Sequence, residues 1–207
     1  MLFLLKGIIL GLSIAAPVGP IGVLCIRRTL ANGMGIGFIS GLGAATADAI
    51  YGFIAALGIS VVAVFLLDHQ IYLRLIGGIF LLYLGYTTFR SIPAEISANA
   101  PISTGGLIGA YVSTVFLTLT NPMTILSFAA VFAGLGSGDK TGGYMASFFL
   151  VIGVFLGSAL WWFILSGMVS VLRNKFDKKR LHWVNRFSGI TIAGFGMFSL
   201  ITIVVTR

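Results

Sequence analysis

Residues Gly37 to Gly52 read Gly-Phe-Ile-Ser-Gly-Leu-Gly-Ala-Ala-Thr-Ala-Asp-Ala-Ile-Tyr-Gly, and the apolar character continues to Leu67. The run holds one acid, Asp48, with no basic residue close to it in the chain. Gly33, Gly37, Gly41 and Ala45 recur every four residues, and Asp48 and Gly52 fall on the same helical stripe. Small residues at that spacing let helices approach closely in a membrane. A carboxylate in the middle of a bilayer costs about 3 kcal/mol or more, so it is expected to face a packed interior. Two roles fit it: a functional carboxylate, or a structural hydrogen-bond partner for a neighbouring helix.

The rest of the chain agrees with a membrane setting. Charged residues make up 9% of the sequence and apolar residues 58%, where a soluble domain carries about 25% charged residues. About 20 apolar residues span a bilayer. The hydropathy pattern predicts six transmembrane helices in an all-α integral membrane protein, near 2–26, 35–67, 71–89, 107–135, 144–172 and 187–205. Two three-helix halves, 1–90 and 107–207, are expected, joined by a linker at 91–106 that holds Pro93 and Pro101. The first segment superficially looks like a signal peptide, but Pro17 follows the cleavage-like Ser13-Ile-Ala15-Ala16, and the segment is expected to be retained.

Helix breakers stand at matching places in the two halves. The first span contains Pro17-Val-Gly19-Pro20, and the fourth contains Thr118-Leu-Thr120-Asn121-Pro122-Met-Thr124. Proline removes a backbone donor, and a carbonyl freed in hydrocarbon survives only where it is buried in protein or lines a wet cavity. Three spans per half is an odd number, so a duplicated half would sit upside down relative to its partner. Inverted repeats with broken first helices point to a binding site near the midplane. Helix N-termini suit a carboxylate, and free carbonyls with Asp48 suit an ammonium group or a proton. The candidate site is therefore Asp48, Thr46, Pro17, Gly19, Pro20, Thr120, Asn121 and Pro122. The same prolines, taken as kinks in structural helices, are the alternative.

Charge sets the expected orientation. Loops 1–2, 3–4 and 5–6 share one side and hold nine basic residues, among them Arg27, Arg28 and the Arg173–Arg180 cluster, against four on the other side. The positive-inside rule places the nine in the cytoplasm and both termini outside. The net charge of +8 reflects this anchoring, and no nucleic-acid partner is expected. Anionic lipids near Arg173–Arg180 are the expected membrane contact, with a plain topology anchor as the alternative. Cys25 stands alone, so no intramolecular disulfide forms, and a buried thiol is expected. No metal site or cofactor is expected; soft metals want thiolates or imidazoles, and the chain offers a poor set. Asp48 also lacks the partner that a nucleophile or a pair of catalytic carboxylates would need, so enzymatic activity is not expected.

Pro17-Val-Gly19-Pro20, followed by Arg28, Gly33, Gly37 and Asp48, resembles the lysine exporter (LysE/RhtB) family of amino-acid translocators, and Asn121-Pro122 resembles that family's second signature. The resemblance covers essentially the whole chain. It implies an exporter of amino acids or close derivatives in a bacterial inner membrane, driven by protons or membrane potential. Val18 departs from the Pro-Gly-Pro form, and Met123 stands where a lysine is common in the family. A metal-cation exporter, or a membrane assembly subunit without transport, is the rival expectation. The expected partners are a small-molecule amino acid and the bilayer, and assembly as a homodimer stays open.

Overall fold

A computed structural model describes residues 2–17, 19–56, 69–90, 104–121, 124, 125, 127, 128, 143–173 and 178–205. Among the described residues the structure is all-helical, with α1 Leu2–Ala15, α2 Pro20–Asn32, α3 Met34–Ala56, α4 Gln70–Arg90, α5 Thr104–Leu119, α6 Gly143–Arg173 and α7 Lys178–Val205. Four of these, α3, α4, α6 and α7, are long and apolar enough to cross a membrane. The bent pair α1 and α2 makes a fifth candidate if counted as one span.

The bend is 82° and falls at the predicted breaker. Pro17 and Pro20 carry no N–H, so the carbonyls of Ser13 and Ala16 have no donor four residues on. Helix α1 closes with Ala16 N–H donating to Leu12 O at 3.0 Å. Gly19, in extended backbone, caps α2, with Pro20 at the first helical position. At the other end of α2, Gly33 takes φ +94° and donates to Thr29 O at 2.9 Å. A left-handed residue stops the helix there, and α3 begins at once.

This corrects the expected first loop. Arg27 and Arg28 belong to helix α2, which continues past the predicted end at residue 26. Likewise Thr104–Gly106, assigned to the linker, open α5, and α7 starts at Lys178, well before residue 187. The rest of the linker, Val18, Pro122, and the span ends at 57–67 and 129–135 lie outside the described residues.

Close backbone approach builds the bundle. Helix α1 runs parallel to α6, and Gly7 and Gly11 lie against the backbone of Leu150, Gly153 and Val154. A methyl group at Gly11 would strike Val154 O, and one at Gly157 would strike Ile8 O. Helix α3 crosses α6 antiparallel, with Gly41 on Trp162 and Gly52 on Val154. It runs parallel to α5, with Gly43 against Tyr111 and Val115. Helices α4 and α7 pair antiparallel through Gly78 with Gly196 and Gly85 with Gly189. Helix α2 packs on α3, α6 and α7. Large apolar side chains such as Tyr83, Tyr144 and Phe187 point outward, as lipid-facing residues do.

Candidate functional site

The small-residue stripe of α3 faces α6, and Asp48 sits within it, 3% exposed. Its Oδ2 accepts a hydrogen bond from Ser158 Oγ at 2.7 Å, and Trp162 Nε1 donates to the same Ser158 Oγ at 3.2 Å. No other described residue bonds the carboxylate. On one side lies the apolar cluster that includes Leu24, Ala45, Leu117 and Trp162. On the other lies the cluster of Tyr51, Ile125, Phe128 and Val154. A single carboxylate is thus held between two apolar layers by one hydroxyl.

Both helix breaks reach the level of this carboxylate. Since Gly11 lies against Val154 in parallel helices, one turn further on brings Ala15, the last residue of α1, level with Ser158. From the other side, Tyr51, one turn beyond Asp48, donates its hydroxyl to Leu119 O at 2.6 Å. Leu119 closes α5, and its carbonyl is among those that a helix end leaves without an intrahelical partner.

The two breaks share their local chemistry. Gly19 O accepts from Val23 N–H at 3.1 Å, and Asn121 O accepts from Ile125 N–H at 3.1 Å. Both residues precede a proline in the sequence, and at Gly19 this gives an N-cap with proline at the first helical position. Asn121 is buried and donates its side-chain amide to Thr124 Oγ1 at 3.1 Å. Pro20 is buried, Gly19 half-buried and Pro17 exposed.

Two candidates face elsewhere. Thr46 donates to Leu42 O and shares a 2.8 Å hydrogen bond with Tyr111 of α5, away from Ser158. Thr120 donates to Phe116 O and packs on Gly77 of α4. Neither is joined to the Asp48 network.

Ser158 and Trp162 are not among the residues that the sequence put forward for the site, because one serine or tryptophan in an apolar run carries no mark of its own. A usable signal was present: Ser158, Trp162 and Ser166 recur every four residues and so share one face of α6. Arg28 is a half-buried charge on α2. Its Nη1 donates to Ser40 Oγ at 2.9 Å, Ala110 O at 3.0 Å and Thr114 Oγ1 at 2.8 Å, and its Nη2 donates to Ser113 Oγ at 2.8 Å. Arg27 Nε donates to Asn185 Oδ1 at 3.2 Å, and Arg173 Nε donates to Leu30 O at 3.3 Å. Three arginines therefore fasten α2 to its neighbours. Cys25 is buried, as expected.

Residues 12–202 match the family described as LysE type translocator. The chain is 27% identical over 197 residues to the "Putative amino acid efflux protein YcgF" of Bacillus subtilis, covering 94% of this chain and 93% of that protein. It is 26% identical over 149 residues to the "Uncharacterized membrane protein YahN" of Escherichia coli, 70% of this chain and 65% of the relative. The "Threonine efflux protein" of Escherichia coli is 25% identical over 130 residues, 61% of this chain and 62% of the relative. No solved structure matches the chain significantly.

Proposed function

Because this chain belongs to the LysE type translocator family, we propose that it exports amino acids or close derivatives through one midplane site, with Asp48 as the coupling group. The observation that carries this reading is the buried carboxylate, held by a single hydrogen bond at the level of two broken helices. A carboxylate has acceptor capacity for several donors, so Asp48 keeps room for a substrate ammonium group or a proton. The helix ends at Gly19–Pro20 and at Leu119–Asn121 lie at its level, and their backbone groups are proposed to turn to the substrate's polar ends.

Six spans in two inverted halves, 1–90 and 107–207, complete the proposal. The packing supports it: α1 pairs with α6 and α5 pairs with α3, while α3–α6 and α4–α7 pair across the halves. Exchanging the halves maps this pattern onto itself, including the parallel sense of the first two pairs. Export is proposed to run outward from the cytoplasm of a bacterial cell, with the Arg173–Arg180 end at the inner leaflet, where anionic lipids fit its charge.

Threonine is the first substrate to test, given the relative with that name. Cells or vesicles preloaded with a panel of amino acids are compared for wild type and Asp48→Asn at equal membrane expression. The wild type is expected to release at least one of them, and Asp48→Asn is expected to lose that release. Equal release by both at every pH tested would remove Asp48 from the mechanism.

A further inference from the structure

Most hydroxyls of this bundle follow one habit, and Ser158 departs from it by reaching a carboxylate. Thr29, Ser40, Thr46, Thr114, Thr118 and Thr120 each donate to the carbonyl four residues back. That is the usual resting place of a hydroxyl in an apolar helix. Ser158, fully buried, makes no such bond; its hydroxyl crosses to Asp48 on another helix. The carbonyl it would otherwise use, Val154 O, lies at the seam where Gly11 of α1 packs.

The indole of Trp162 then fixes the direction of that hydroxyl. An indole N–H is a donor only, and a serine hydroxyl has one proton to give. Ser158 Oγ therefore accepts from Trp162 and gives its proton to Asp48 Oδ2. A proton placed on Oδ2 would turn the charge-assisted bond from Ser158 into a weaker one, because a hydroxyl oxygen accepts less strongly than a carboxylate oxygen. Oδ1 carries no bond to any described residue.

We infer that Ser158 and Trp162 are positioning residues that divide the labour of the two Asp48 oxygens. Oδ2 is held as a standing acceptor, and Oδ1 is the atom that takes the proton or the substrate's ammonium group. This rests on the proposed role of Asp48 and adds which oxygen acts and what orients it. The titratable and charged groups on the packed elements are few. They are Tyr51 on α3, Cys25, Arg27 and Arg28 on α2, Tyr111 on α5, Tyr144 and Arg173 on α6, and Lys6 on α1. Tyr51 and Tyr111 are bonded to Leu119 O and Thr46, and Arg28 to hydroxyls and a carbonyl.

The test reads Asp48 directly in the purified full-length protein. A hydrophobic carbodiimide modifies protonated buried carboxyls, and mass spectrometry gives the pH of half-maximal modification at Asp48, with Asp48→Asn as the blank. Ser158→Ala removes a donor to the ionised form and is expected to move that pH upward by about one unit, a tenfold change in proton affinity. Trp162→Phe is expected to move it the same way and less, and Ser158→Thr to keep the wild-type value. Export measured at equal membrane expression should show the same displacement of its pH profile. If Ser158→Ala and Trp162→Phe lower export at every pH while both profiles stay in place, these residues only pack, and the inference fails. If Asp48→Asn exports like wild type, it is the parent reading that fails. Should Ser158→Ala not insert, Trp162→Phe and Ser158→Thr decide the matter alone.

Discussion

Arg28 and Asp48 are two charges in the same bundle, and the protein holds them in opposite ways. The guanidinium gives hydrogen bonds to Ser40, Ser113, Thr114 and Ala110, tying α2 to α3 and α5. The carboxylate takes one bond, from Ser158. Ser40 and Asp48 are eight residues apart on α3, which is about 12 Å along the helix. Neither charge has an opposite charge paired to it among the described residues. A half-buried guanidinium held by several acceptors is a fastener. A buried charge with one partner keeps capacity for something that arrives and leaves, and that is where exchange chemistry belongs.

This contrast is open to direct attack through stability in detergent, since the two charges should respond very differently. Arg28→Met should have the largest effect, lowering stability by about 2–3 kcal/mol through the loss of charge-assisted bonds to two helices. Loss of monodisperse protein on heating measures it. An unchanged midpoint would show that the clamp carries no weight. Thr114→Val removes one of the acceptors and should cost about 1 kcal/mol, roughly a third of the Arg28 effect in the same assay. Asp48→Asn should change the heating midpoint least, because an amide fits the same space and still accepts from Ser158. The same variant should lose export. A midpoint lowered as far as that of Arg28→Met would make Asp48 a fastener too, and the comparison would collapse.

Much of this was written in the sequence, for reasons that particular residues make plain. The low charge and long apolar runs marked a membrane protein because hydrocarbon leaves few alternatives. The break at Pro17–Pro20 was legible because proline without an N–H acts locally, whatever packs around it. The stripe of Gly37, Gly41, Asp48 and Gly52 was legible because helical spacing alone puts those residues on one face. Arg27 and Arg28 misled, since two arginines at the end of an apolar run read as the start of a loop. Apart from Ser40, their side-chain partners Asn185, Ser113 and Thr114 lie roughly 85 to 160 positions away, and no local pattern points to them. Ser158 and Trp162 were hidden for the same reason: their meaning comes from a helix crossing, and a crossing is a property of packing.

The central claim is that Asp48 couples substrate movement to proton movement, and the most direct test is substrate-dependent proton flux. Proteoliposomes holding the purified protein and a pH-sensitive dye are given an outward gradient of an amino acid that the export panel has identified. Wild type should change internal pH as the amino acid leaves, and Asp48→Asn should show no substrate-dependent change while remaining folded and inserted. Proton flux in Asp48→Asn equal to that of wild type would contradict the account.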